Sequence, residues 1–149
     1  MRAVLQRVSK AKVDVDGQTV GAIQKGIVAL VAVSDNDNIE TFKYMVDKII
    51  NLRIFEDENQ KLNLSIKDLG YSLLIVPNFT VYSDARKGRR PNFVGGASPD
   101  VAQKIFEDFV NYTKQTYDKI ETGIFRADMQ VELINDGPIT ILLDSDKLF

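Results

Sequence analysis

"GIVALVAV", residues Gly26 to Val33, is the longest apolar run in the chain. It has the length of a strand and falls far short of the roughly 20 residues a membrane span needs. A continuous run of this kind reads as a strand buried on both faces, so the flanking sequence must supply a layer for each side.

Upstream, "RAVLQRV" (Arg2 to Val8) and "AKVDV" (Ala11 to Val15) read as two strands. Asp16-Gly17 is a hairpin signal leading into a strand from Thr19 to Ile23. Downstream the period changes. Asp37 followed by Glu40 resembles a capping box, and Phe42, Met45, Val46, Ile49 and Ile50 mark a helical face that ends near Leu52. "LRIF" (Leu52 to Phe55) is a short strand, "EDENQK" a polar turn, and "YSLLIV" (Tyr71 to Val76) a second buried strand. Ser98 and Pro99 open a second helix, with Val101, Ile105, Phe109 and Tyr112 as its buried stripe. "ADMQVELI" alternates, placing Met129, Val131 and Leu133 on one face, and "ITILLD" closes the chain after a turn at Asn135 to Pro138. The expected class is α+β: a single domain over residues 1–149, a mainly antiparallel barrel or sandwich with two main helices. Two helices cannot cover both faces of so large a sheet, which leaves apolar surface for a homodimer contact.

Of the 149 residues, 44% are hydrophobic and 27% charged, the balance of a globular protein. The first residues alternate as a strand and lack the core of a signal peptide, so no membrane segment and a cytoplasmic location are expected. Cysteine is absent, which excludes disulfides and thiolate chemistry. Histidine is absent too, removing the usual base near neutral pH and the commonest zinc ligand. No acidic cluster has metal-ligand spacing, and no cofactor is expected. The net charge of −2 argues against sequence-blind adhesion to nucleic acid but leaves room for a local basic patch.

Three stretches have a composition suited to chemistry, and each also has a plain structural reading. In "PNFT", Pro77 ends a strand, Asn78 follows, and Phe79 would wall a pocket while Thr80 and the local amides bind a carbonyl oxygen. The plain alternative is a strand-exit turn with a buried Phe and a capping Thr. In "ARKGRRPNF", Arg86, Lys87, Arg89 and Arg90 surround Gly88 beside Phe93, which suits phosphate contacts with RNA; otherwise it is a solvated charge run. In "NDGP", a Gly137-Pro138 bond in the cis form would turn the Gly137 carbonyl outward as a fixed acceptor, and otherwise it is an ordinary turn.

Taken together with "MRAVLQRVSKAKVDVDG", "KIINLRIFED", "RKGRRPNF", "ETG.F.ADM" and "NDGPIT", in that order over essentially the full length, the sequence resembles D-aminoacyl-tRNA deacylases. The resemblance implies a homodimer that hydrolyses the ester between a D-amino acid and the tRNA 3′ end. It implies that Gly137 and Pro138, joined by a cis bond, reach into the partner's site as a chiral gate, while Phe79 and Thr80 line the pocket. Arg7, in the "QRV" segment, and Met129 would support that pocket. The family is also associated with clearing glycine from mischarged alanine tRNA. The chain departs from the pattern at Pro77-Asn78, where most members carry Ser-Gln, so a hydroxyl and a longer amide are missing and altered specificity stays open. A non-catalytic tRNA-end binding protein and a purely structural dimer are the alternatives.

Overall fold

The computed structural model describes every residue from Met1 to Phe149. Its core is a mixed sheet in the order β2-β1-β3-β6-β7, with β8 laid along β1. These strands are β1 (Arg2–Val15), β2 (Gln18–Ile23), β3 (Gly26–Ala32), β6 (Ser72–Pro77), β7 (Ile120–Thr122) and β8 (Gln130–Asp144). A two-stranded ribbon, β4 (Phe55–Glu56) with β5 (Leu62–Leu64), stands apart from them. The helices are α1 (Ile39–Asn51), the single turn α2 (Ile66–Leu69) and α3 (Pro99–Thr116), and a 3-10 turn spans Phe79–Tyr82.

The apolar run becomes β3, as its composition requires. Ile27, Ala29 and Val31 face the helices, and Val28 faces the opposite interior. On the helix side, Ala3, Leu5, Leu73 and Ile75 pack against Phe42, Met45 and Ile49 of α1 and Phe106 and Phe109 of α3. Phe42 and Phe109 meet edge to face at 5.7 Å, a favoured aromatic geometry. On the other side, Val8, Val13, Ile23, Val28, Leu74 and Val76 fill a small barrel. The barrel closes where β2 meets β7: a Cβ on Gly21 would lie 2.8 Å from the Thr122 carbonyl oxygen, so only glycine fits there.

Arg2–Val8 and Ala11–Val15 are one strand rather than two. The β1–β8 register slips between Val8 and Lys10, and this bulge reverses which residues point inward. It lets one strand pair with β3 in its first half and with β2 in its second. Asn135–Pro138 is likewise no turn between two strands. Gln6 faces Thr140 and Val8 faces Asn135, so the intervening residues of β8 arch out of a ladder that resumes on both sides. The Gly137-Pro138 peptide bond at this arch is cis. The sheet is antiparallel except at β3–β6 and β6–β7, which are parallel.

Smaller differences have local causes. The cap of α1 is Asn38 paired with Thr41, because Asp37 is turned away to bind the Met1 nitrogen and the Ser34 amide. The buried stripe of α3 is Ala102, Phe106, Phe109, Val110 and Thr113; Val101 is exposed, and small Ala102 brings the helix close instead. Of "LRIF", only Phe55 is in a strand, and that strand continues to Glu56. No helix is long and apolar enough to cross a membrane.

Candidate active site

The parallel pairing of β3 and β6 brings Val31 beside Pro77, so both strands end together. The Asn78 amide donates to the Val31 carbonyl at 2.8 Å, and the chain then winds into the 3-10 turn. Asn78 caps that turn. Its Oδ1 accepts from the Thr80 hydroxyl at 2.6 Å and from the Thr80 amide at 3.2 Å. The reading of a buried Phe with a capping Thr therefore fails on both counts, since Asn78 is the cap and Phe79 is 64% exposed. Phe79 is held edge-on by Phe93 at 5.1 Å.

Phe79 and Phe93 form one wall of a cleft of about 820 Å³. Val76, Pro77, Leu30 and Met129 make its floor towards the barrel, and Gly96 to Pro99 and Ala102 its far side. The loop that supplies the far side is pinned by Ala97 N–H to the Val33 carbonyl at 3.0 Å. Met129 is seated by Gly123, where a Cβ would come within 2.7 Å of its sulfur. The cleft is mainly apolar, as small-molecule sites usually are, with Asn78 and Arg126 among its few polar groups.

No base faces this cleft. The Thr80 hydroxyl proton is directed at an amide oxygen, which cannot take it at neutral pH. Tyr82, the buried last residue of the turn, is pushed up to about 12 by burial and stays neutral. The Thr80 amide is occupied by Asn78, whereas the Phe79 amide is not engaged by these bonds. What the turn offers is hydrogen-bond donors and shape.

Pro77, Asn78, Phe79 and Met129 thus line one cleft, with Thr80 bonded to its edge. Gly137, Pro138 and Arg7 are not among its lining residues. Arg7 lies under the β8 arch, 4% exposed. Its Nε donates to the Asp136 carbonyl at 2.9 Å, and its Nη1 donates to the Ile54 carbonyl at 2.8 Å and to Glu56 Oε2 at 2.9 Å. Its guanidinium also stands 5.7 Å over the Phe55 ring. Glu56 is held below the usual carboxylate range, first by its own backbone amide and then by Arg7. Asn135 spans the base of the arch: its side chain accepts from the Ile139 amide at 2.8 Å and donates to the Ile139 carbonyl at 3.2 Å.

The sequence reading missed Glu56, Asp136 and Asn135 in this arrangement. Arg7 held the available signal, because it continues the inward phase of Ala3 and Leu5 and a charge in that phase must find partners.

The basic loop is tied at its base, where Asp84 and Asn92 exchange backbone hydrogen bonds of 2.8 and 3.0 Å. Arg86 folds back to grip Asp84 with both arms, at 2.9 and 2.8 Å. Lys87, Arg89 and Arg90 stay exposed and outside the chain's ion pairs.

The family model described as D-Tyr-tRNA(Tyr) deacylase matches residues 4–144. The D-aminoacyl-tRNA deacylases of Thermosipho africanus (strain TCF52B) and Clostridioides difficile (strain 630) are 57% and 54% identical to the chain over 149 residues, with 100% of each sequence covered. Among solved structures, a c-Myc DNA unwinding element binding protein superposes with a TM-score of 0.91 at 39% identity, covering 97% of this chain and 98% of that one. A probable eukaryotic D-amino acid tRNA deacylase gives 0.80 at 17% identity, covering 95% and 97%, a likeness of fold alone.

Proposed function

The chain belongs to the D-Tyr-tRNA(Tyr) deacylase family, and from that membership we propose that it is a hydrolase cleaving the ester of D-aminoacyl-tRNA to free D-amino acid and tRNA. The observation that carries this reading is the cleft at Asn78–Phe79, which offers donors and apolar walls but no base. An aminoacyl ester suits such a site. It is already activated, and the ribose hydroxyl beside it can assist the attacking water, so proximity replaces a protein base. The amides of the 3-10 turn stabilise the developing oxyanion, with Phe79 N–H the donor at hand and Thr80 N–H available once Asn78 yields it. Thr80 acts as a donor in this scheme and not as a nucleophile, because nothing beside it can take its proton.

The enzyme works as a homodimer, and the Gly137-Pro138 arch of one subunit completes the cleft of the other. Support comes from the separation of arch and cleft within one chain. A main-chain carbonyl fixing the substrate ammonium leaves room for a D side chain and sets an L side chain against the backbone. Glycine has nothing to collide, so glycyl-tRNA(Ala) is a substrate as well. Lys87, Arg89 and Arg90 meet the tRNA backbone.

The test is ester loss from D-tyrosyl-tRNA, L-tyrosyl-tRNA and glycyl-tRNA(Ala), with sedimentation of the same preparation. Hydrolysis of the D and glycyl esters by a dimer is expected. Binding without turnover would leave a tRNA-end binding protein instead.

A further inference from the structure

Arg126 is the one residue lining the cleft that carries a charge. It sits in the turn closed by Ala127 N–H to the Ile124 carbonyl, with its backbone in the left-handed region at φ 63°. Its Nη2 donates to Asp100 Oδ1 at 2.6 Å, joining the segment ahead of β8 to the first turn of α3. This pair is open to water: the Asp100 side chain is 92% exposed and that of Arg126 50%.

We propose that Arg126 is a positioning residue for substrate, exchanging Asp100 for the 5′-phosphate of the terminal tRNA nucleotide while the ester lies at the Asn78–Phe79 turn. The inference rests on the aminoacyl-tRNA hydrolase reading. A phosphate adjoins the esterified nucleoside in every such substrate, whereas the amino-acid side chain varies. The guanidinium fork matches phosphate oxygens in pairs, as a lysine would not. Exchange is easy because an exposed ion pair holds its partners weakly. Asp100 also keeps a favourable place after Arg126 leaves, since it lies in the first turn of α3, where the helix favours negative charge. Lys87, Arg89 and Arg90 lie outside the cleft lining, which leaves this phosphate to Arg126.

The test compares two small substrates, the D-tyrosyl ester of adenosine and that of adenosine 5′-monophosphate, alongside D-tyrosyl-tRNA. The wild type should show a KM about tenfold lower for the phosphorylated ester, with kcat unchanged. Arg126→Gln should erase that advantage, and Asp100→Asn, which removes the competing carboxylate, should widen it. If the pair were only a structural tie, both variants would shift both esters alike and in one direction, and the proposal would be overturned. A wild-type preference for the D-aspartyl over the D-tyrosyl ester of adenosine, lost in Arg126→Gln, would assign the guanidinium to the amino-acid side chain and overturn it too. A wild type that cleaves the tRNA but gains nothing from the 5′-phosphate removes the role of Arg126 alone. One that cleaves neither tRNA nor esters removes the hydrolase reading itself.

Discussion

Arg7 is fastened to the carbonyl of Asp136, 2.9 Å from its Nε, one residue ahead of Gly137. A buried guanidinium therefore grips the main chain of the β8 arch from below, while Ile54 and Glu56 take its other arm.

Replacing Arg7 by Met should cost about 1.5–3 kcal/mol of stability, the scale of a hydrogen bond to a charged group. Chemical denaturation would read this as a lower midpoint at unchanged slope. Arg7→Lys should rescue little, because one ammonium cannot serve three separated acceptors. Glu56 should rise towards the ordinary carboxylate range in the Met variant, since the guanidinium that helps to hold its charge is gone. An unmoved Glu56 titration would contradict that pairing.

Gly137→Ala tests the arch itself. At φ 132° an L side chain is strained, and the added Cβ would lie 2.9 Å from Ile139 Cγ1 and 3.3 Å from Arg7 Nη2. A loss of about 1–3 kcal/mol is expected, with Tm lower by about 2–4 °C for each kcal/mol. Turnover of D-tyrosyl-tRNA should fall in protein that circular dichroism shows to be folded. Normal turnover with normal rejection of the L ester would sever the arch from the site.

Thr80→Ala keeps the backbone amide and loses only a hydroxyl already bonded to Asn78. Its rate should fall by no more than the about 10²–10³ of a single oxyanion donor. Loss of a true nucleophile costs on the order of 10⁶, so rates in single-turnover assays separate the two. Trapping of an acyl-enzyme on Thr80 would decide for the covalent route.

The cations of the loop should not act alike. Arg86 is held by Asp84 with both arms, so Arg86→Ala should weaken tRNA binding less than Arg89→Ala with Arg90→Ala. The slope of log K against log salt should become shallower by about 0.7–0.9 for each phosphate that the variant no longer neutralises. Asp84 itself is lowered to about 2, first by the Arg86 side chain. Its folded pKa lies below its unfolded value of about 3.9. Its contribution is thus complete above that value and is lost as pH falls through about 2. An NMR titration should find this midpoint in the wild type and a higher one in Arg86→Ala, still below the ordinary value because the backbone amide of residue 86 goes on donating to Asp84.

Much of this was legible in the residues. Gly26 to Ala32, Ser72 to Val76 and the Phe42–Ile50 face of α1 announce themselves because alternation and helical spacing report burial directly. The continuity of β1 and β8 was not legible. Both strands change phase, at the bulge near Ser9 and at the Asp136–Ile139 arch, and a change of phase looks like a break. In α3 the more apolar Val101 masks the true contact at Ala102, where closeness matters more than hydrophobicity. For the site, Phe79 and Asn78 could be chosen by type and place. The pairing of Arg7 with Asp136 and the locking of Arg86 by Asp84 join residues whose partners depend on loop geometry, which composition does not encode.

Since β8 lies along the whole of β1, Arg2 faces Asp144 and Asp14 faces Gln130. On the ribosome, then, a strand made early waits for one made late. Until β8 emerges, the nascent chain carries a bare β1 edge, open to mispairing and to chaperones. With pairings that span nearly the entire chain, its folding belongs to the slow, topology-limited regime.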